Sequence, residues 1–405
     1  MNFSTPEPPL LSKLNSPCPL RTQYFIGLMS GTSADGVDAA LVEFKGGKIL
    51  LQHFISPELP SSLKHQLVQL NQNNALSLEQ LAQLSFDLSQ QFIQATQQLL
   101  AEQNLTPQDI CAIGSHGQTI YHAPHIPMTL QIGHPAFIAK TTKIQTVADF
   151  RVDDMALSGQ GAPFAPAFHQ MLFQQKKPCF VVNIGGIANV SYLPSQLKNN
   201  PYKEGGGDIL QGYDTGPGNA LMDEICQKYF NRPFDDGGKL AQQGTLNQAL
   251  LQQLLAHPYF KLTHPKSTGR ETFNLSWLTQ QIEQLSDSEA LLPIDILCTL
   301  THFSANTIAT EIQKIQSQHT APSHSQIPVW ITGGGAFNTL LIQTIQDHLS
   351  DCLVQSTQTI NINPNAIEAM MCAWLAKQRI ENKMVPLSHV TGAQRDTVLG
   401  GLWHP

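Results

Sequence analysis

Apolar positions along the chain alternate between short runs and helical spacing. Residues 24–29 form an apolar run that predicts a buried strand. It breaks at Ser30-Gly31-Thr32-Ser33-Ala34-Asp35-Gly36, and apolar residues resume over 37–44 and 49–55. A strand, a glycine-bearing turn and a returning strand predict a hairpin. Leu78, Leu81, Leu88, Phe92, Ala95 and Leu99 then recur at helical spacing, opened by a capping box at Ser77 and Gln80. Strands are predicted over 110–113, ending at Gly114-Ser115-His116-Gly117-Gln118-Thr119, and over 129–133 and 144–150.

The pattern then restarts. Residues 180–184 run into Gly185-Gly186, and 189–193 return as a strand. Asp214-Thr215-Gly216-Pro217-Gly218-Asn219 precedes a helical stretch over 221–229, and 293–316 reads as a long helix. Residues 328–332 meet Gly333-Gly334-Gly335, followed by a helix over 337–349, a strand over 352–355 and a helix over 366–379. Strands alternating with helices put the chain in the α/β class. Glycine and proline cluster over 155–178, where the two halves should meet.

Composition narrows the function. The chain has 405 residues, 41% hydrophobic and 13% charged, with a net charge of −7. It carries no basic stripe, which argues against a nucleic-acid surface, and no apolar run as long as a membrane span. Residues 1–22 are proline-rich, lack the apolar segment of a signal peptide and read as a loose extension. Seven widely spaced cysteines without a C-x-x-C pair fit reduced thiols in the cytoplasm.

Several glycine-rich turns follow apolar strands, and bare turns of this kind offer backbone N–H groups to phosphate oxygens. Neither the P-loop pattern nor G-x-G-x-x-G occurs, so a nucleotide site would be of another kind. Gly31, Thr32, Ser33, Ala34, Asp35, Gly36, Val37 and Asp38 combine small residues, hydroxyls and carboxylates. Asp214 to Asn219 offers a carboxylate, a hydroxyl and two glycines. Gly333, Gly334 and Gly335 make a bare turn against which a purine could lie. Asp214 is the candidate catalytic residue. Asp35 and Asp38 are candidates to face Mg²⁺ through water, although turn chemistry would use the same residues. Glu368 lies among Ala, Met, Cys, Trp and Leu, where an unpaired carboxylate is costly to bury and would want a partner, unless it stands on the solvent face of the helix. His116 stands between glycines at a predicted strand end, placed for substrate or for a structural hydrogen bond.

These blocks resemble the anhydro-N-acetylmuramic acid kinases. The resemblance is carried by Gly27-Leu28-Met29-Ser30-Gly31-Thr32-Ser33-Ala34-Asp35-Gly36-Val37-Asp38, by Gly114 to Thr119, and by Asp149-Phe150-Arg151. Gly159-Gln160-Gly161-Ala162-Pro163, Asn183-Ile184-Gly185-Gly186 and the Asp214 block carry it further. Lys266-Ser267-Thr268-Gly269-Arg270-Glu271 and Thr332-Gly333-Gly334-Gly335-Ala336-Phe337-Asn338 complete it, in order from about Tyr24 onward. It implies two ribonuclease H-like domains of the actin-like ATPase fold flanking an ATP cleft. The expected domains are 23–165 and 166–405, with the last helix packing back on the first.

By the same resemblance the first phosphate hairpin spans Gly31 to Asp38, Asp214 to Gly216 belongs to the second, and Gly186 and Gly216 bind the cofactor. Gly333, Gly334, Gly335 and Asn338 form the adenosine turn, and His116, Gln118, Arg151 and Glu368 contact the sugar. ATP and Mg²⁺ are implied, with a small sugar as partner, no nucleic acid or membrane, and a homodimer as one assembly left open. The implied reaction opens 1,6-anhydro-N-acetylmuramic acid with water and phosphorylates O6, in cell-wall recycling. Where many members carry consecutive arginines, Arg151 is followed here by Val152, Asp153 and Asp154. A chaperone-type ATPase would want a peptide-binding module after the core, for which the chain leaves no room.

Overall fold

The computed structural model describes residues 23–31, 34–73, 76–173, 177–195, 210–264, 266–285, 291–319 and 326–405. Thr32, Ser33 and the extension over 1–22 lie outside the described residues. Strands β1 (Gln23–Ser30), β2 (Asp38–Lys45) and β3 (Lys48–Ile55) form an antiparallel meander. β4 (Ile110–Ala123) runs parallel to β1, β5 (Met128–Ile132) folds back on β4, and β6 (Thr146–Ala148) runs parallel to β4. The second sheet repeats this plan. β7 (Cys179–Ile184), β8 (Ile187–Leu193) and β9 (Gln211–Pro217) are antiparallel, and β10 (Ile327–Thr332) and β11 (Cys352–Ser356) continue in parallel from β7. The orders β3-β2-β1-β4-β6 and β9-β8-β7-β10-β11 are one ribonuclease H-like topology used twice. β12 (Gly401–Trp403) adds to the first sheet beside β6.

Helices α1 (Ser61–Asn73), α2 (Leu78–Glu102) and α3 (Pro135–Thr142) lie on one side of the first sheet. The Ser77 hydroxyl accepts from the Gln80 N–H at 3.1 Å and the Gln80 side chain accepts from the Ser77 N–H at 2.9 Å, closing the predicted capping box. Leu84, Leu88, Phe92 and Leu99 of α2 are buried with Ile26 and Leu28 of β1. α4 (Phe150–Ala156) and α5 (Ala165–Phe173) follow. In the second half come α6 (Ala220–Ile225), α7 (Gln248–Leu255), α8 (Leu275–Glu283), α9 (Pro293–Gln318) and α10 (Thr339–His348). The core there joins Phe180, Val182 and Ile184 of β7 to Ile308, Ile312 and Ile315 of α9. Last come α11 (Ile367–Ile380) and α12 (Ser388–Thr391).

α11 crosses back to the first sheet and packs on β1 and β4. Gly27 of β1 and Gly114 of β4 are cross-strand partners. A Cβ at Gly27 would lie 1.7 Å from the Ala369 carbonyl oxygen, and one at Gly114 would lie 2.0 Å from that of Cys372. Helix backbone thus rests on sheet backbone. α5 lies between the halves: it packs on β8, while its Phe168 ring is 5.7 Å from Trp374 of α11.

Three local readings need correction. β4 continues through Gly114, Ser115, His116, Gly117, Gln118 and Thr119 rather than stopping before them, because Gln118 still pairs with Ser30 of β1. Asp214 stands inside β9 rather than after a strand, paired with Asn189 of β8. The helix after Asn219 ends at Ile225 and passes into a wider π turn over Cys226–Phe230.

The glycine contacts generate a stability test. Gly27→Ala or Gly114→Ala should cost about 3 kcal/mol or more, since overpacking against backbone leaves nothing flexible to yield. Gly31→Ala, with no atom of the described residues within 4 Å of its Cβ, should leave stability near the native value. Denaturant midpoints measure both; an unchanged midpoint for Gly27→Ala would contradict the packing.

Candidate active site

A cavity of about 140 Å³ lies between the two sheets. Met29, His116, Arg151, Ala162, Pro163 and Glu368 line it from the first half, and Asn183 and Asn189 from the second. The elements explain why these groups meet. Met29 is next to last in β1, His116 projects from β4, Arg151 sits in the first turn of α4, and Glu368 sits in the first turn of α11.

His116 is fully engaged. Its Nδ1 donates to the Gly117 carbonyl at 3.0 Å, which leaves Nε2 to accept from the Arg151 Nε at 2.8 Å. Burial and the neighbouring Arg151 charge push the imidazole pKa down to about 3, so the ring is neutral. It fixes Arg151, whose own pKa burial lowers while Glu368 supports the charge. Burial raises the Glu368 pKa, the Asp38 charge raises it further, and Arg151 opposes both. Asp38 is pushed up to about 6 by burial, against the Ser56 hydroxyl donating to Oδ1 at 2.6 Å. Gln118 points elsewhere: it is buried, accepts from the Ser30 hydroxyl at 2.6 Å, and its Nε2 has no partner among the described residues.

The two aspartates that follow Arg151 and Val152 are tethers. Asp154 accepts from the Gly161 N–H and the Thr391 hydroxyl, both at 2.7 Å, and Asp153 accepts from the Gly400 N–H at 2.7 Å. They hold the loop carrying Ala162 and Pro163 against the C-terminal segment.

On the second sheet, Thr332, Asn183, Asn189 and Asp214 are successive cross-strand partners, a polar row over β10, β7, β8 and β9. Asp214 Oδ2 accepts from the Ser267 hydroxyl at 2.8 Å and the Thr268 N–H at 3.1 Å. Burial raises its pKa, these two donors oppose the shift, and Glu271 adds to it.

The glycine turns differ in what they leave open. In the first, Ala34 N–H donates to the Gly31 carbonyl and Val37 N–H to Pro57, so those two amides are already used. Gly36 bridges Glu58, while no described residue comes within 4 Å of a Cβ at Gly31. Asp35 pairs with Lys64 at 2.6 Å. In the second, the N–H groups of Gly218 and Ala220 bond the Gly186 carbonyl, and that of Asn219 bonds Gly185. Gly216 adopts φ +143°, and a Cβ there would meet the Phe260 ring at 2.9 Å. The Arg270 guanidinium lies beside Gly186. In the third, a Cβ at Gly333 would meet Asn183 Oδ1 at 2.4 Å and one at Gly335 would meet the Ile184 side chain at 2.4 Å. Only Gly334 of the three has room, its nearest neighbour being Asn219 Nδ2 at 3.4 Å. Asn338 caps α10, accepting from the Leu341 N–H at 3.0 Å.

The profile of the anhydro-N-acetylmuramic acid kinase family matches residues 23–405. The chain belongs to this family. The anhydro-N-acetylmuramic acid kinase of Hydrogenovibrio crunogenus is 49% identical over 384 residues, covering 95% of this chain and 99% of that protein. That of Shewanella putrefaciens is 43% identical over 385 residues, covering 94% and 99%. Among solved structures, component A of the (R)-2-hydroxyglutaryl-CoA dehydratase of Acidaminococcus fermentans shares 11% identity at a TM-score of 0.45, covering 89% of this chain and 99% of that one, too remote to argue from.

Sequence reasoning missed several groups around the kinase cleft. Asn183 and Asn189 lay in view as polar residues flanking Gly185-Gly186. Glu311 was legible as a charged residue among Ile308, Ile312 and Ile315 on the buried face of α9. Asp223, pushed up to about 7 by burial against the Arg270 charge, had no sequence signal.

His116 supplies a pH test. Its folded pKa of about 3 lies below the unfolded value of 6.5, so unfolding takes up a proton between those limits and stability falls as pH drops through them. Going from pH 7 to pH 5, the native protein should lose about 2 kcal/mol more than His116→Gln. Equal losses in urea titrations would show that His116 is not held neutral.

Proposed function

We propose that the chain binds Mg-ATP and 1,6-anhydro-N-acetylmuramic acid in this cleft and makes N-acetylmuramic acid 6-phosphate and ADP, as a step in cell-wall recycling. The supporting observation is that Asn189, the cross-strand partner of Asp214, lines the same cavity as the Arg151–His116 pair and Glu368 of the other half, while two donors hold one oxygen of Asp214.

The anhydro bridge joins C1 to O6 within one sugar. Asp214 takes a proton from water as the water oxygen bonds to C1. The C1–O6 bond breaks, and O6 attacks the γ-phosphorus, whose bond to the β-phosphate bridging oxygen breaks to release ADP. Glycoside hydrolysis ordinarily needs a second carboxyl to protonate the leaving oxygen. Here the phosphoryl group captures that oxygen, so one base suffices. Glu368 and Arg151 orient the sugar, Glu368 by accepting from a hydroxyl and Arg151 through its fixed guanidinium. Arg270 beside Gly186 and the open turn at Gly31 supply positive potential and approach for the phosphates. Gly334, with room over it, is the position where a base can lie on the backbone.

The cleft suits a polyphosphate only with a counter-cation, since the Asp35 charge acts on both Asp38 and Asp223, and that of Asp38 on Glu368. Asp38 fits as a ligand through water, whereas Asp35 is already engaged by Lys64. When bound, Mg²⁺ neutralises charge on the transferring phosphoryl group.

Asp214→Asn keeps the shape and removes the base. Turnover should fall on the order of 10² to 10⁴ with ATP affinity nearly unchanged. In ¹⁸O water the label should appear on C1 and not in phosphate; label in the phosphoryl group would refute this route. Gly334→Val should weaken ATP binding roughly tenfold or more, about 1.4 kcal/mol, in a folded protein. Gly333→Val should instead disturb the fold, through Asn183 and the Ile184 backbone. Calorimetry beside melting curves separates the two, and unchanged affinity in Gly334→Val would remove that turn from the nucleotide site.

A further inference from the structure

One loop holds Asp214 at three points. The Lys266 carbonyl accepts from the Asp214 N–H at 3.2 Å, and the Ser267 hydroxyl and Thr268 N–H both donate to Oδ2. From the other side the Tyr259 hydroxyl donates to the Asp214 carbonyl at 2.6 Å. Among the described residues no donor reaches Oδ1, so one oxygen is held and the other left free.

The loop is itself anchored by a buried ion pair. Lys266 Nζ lies 2.9 Å from Glu311 Oε1, with side chains 2% and 5% exposed. Lys314 Nζ reaches the same oxygen at 2.8 Å, the Tyr213 hydroxyl donates to Oε2 at 3.2 Å, and the Lys266 ammonium sits over the Tyr259 ring. Buried ion pairs are poor sources of net stability, and their best-attested use is to fix a register. Here the register fixed is that of residues 266–268 against β9.

We propose that Ser267, with the Thr268 amide and the Lys266–Glu311 anchor behind it, is the positioning residue of Asp214, holding Oδ2 so that Oδ1 alone takes up the proton. This rests on the reading of Asp214 as the base. Two donors on one carboxylate oxygen favour the ionised form that a base requires, against burial. The charged and titratable groups around Asp214 are Glu271 in the same loop, Lys266 with Glu311 and Lys314 on α9, and Tyr213 and Tyr259, with His264 stacked on Tyr213. Glu271 raises the Asp214 pKa, and Glu311 offsets Lys266, so the Ser267 hydroxyl is the main removable influence favouring the carboxylate.

The test uses the full chain with Mg-ATP and 1,6-anhydro-N-acetylmuramic acid, following kcat against pH. Ser267→Ala should move the acid limb upward by about one pH unit, with KM for ATP and the melting temperature close to native. Ser267→Thr, which keeps a hydroxyl, should restore the limb; a merely structural serine would not move it. A folded Ser267→Ala whose acid limb and kcat match the native protein, while Asp214→Asn is inactive, overturns the positioning role and leaves the base reading standing. Near-normal turnover by Asp214→Asn overturns both. For the anchor, the double variant Lys266→Met with Glu311→Leu removes both charges together and should fold while losing at least tenfold in kcat; native kcat in that folded variant overturns the anchoring role.

Discussion

The backbone of α11 touches the first sheet at Gly27 and Gly114, where two neighbouring strands put no side chain between helix and sheet. Everything at the first wall of the cleft follows from that distance. Glu368 precedes Ala369, the residue lying on Gly27, so its depth in the cavity is set by backbone contact and not by a flexible side chain. Cys372, lying on Gly114, receives the backbone N–H of His116, which ties the helix to the strand that carries the imidazole. Trp374, two residues on, packs on Phe168 of α5 and so reaches the element that touches the second sheet. A methyl group at either glycine would shift all three.

The wall so built is expensive in desolvation, and its polar groups meet the cost by pairing among themselves. His116 uses both ring nitrogens, one on backbone and one on Arg151. Arg151 in turn answers the Glu368 charge. A neutral imidazole is essential to this chain, because a protonated ring has no lone pair to accept from the guanidinium. The second wall follows the same logic with different parts. Asp214 is held by a loop, the loop by an ion pair, and the ion pair by the long helix α9, where Glu311 stands among the buried Ile308, Ile312 and Ile315.

The repeated strand plan was legible because strands and glycine turns leave local marks, and both halves carry them. Segments α1, α7 and α8 left no reading because their polar positions are largely Gln and Asn, which blur the contrast between faces. β4 was read short because glycines inside a strand look like its end; only pairing with Ser30 shows that it continues. Among site residues, the turn chemistry was visible and its purpose was not. Gly333 and Gly335 read as ligand-facing, yet their missing side chains make room for Asn183 and Ile184 of β7. Gly334 between them is the one with space. No local pattern distinguishes these three, because the distinguishing atoms come from a strand 150 residues earlier in the chain.

The charges divide across the cleft in a way that bears on how its halves approach. Asp35 and Asp38 stand on the first hairpin and Asp223 on α6, and the Asp35 charge is felt at Asp223, whose pKa is already high from burial. Bringing the halves closer strengthens this repulsion, and the interaction grows as water leaves and the local dielectric falls. Arg270 offsets part of it from the second half alone. A divalent cation between the acidic groups would change the sign of the interaction, so approach would be favoured when the metal is present and opposed when it is absent. Under the proposed roles neither wall carries the base, the sugar contacts and the phosphate turns together, so the reacting groups would gather when both ligands are in place.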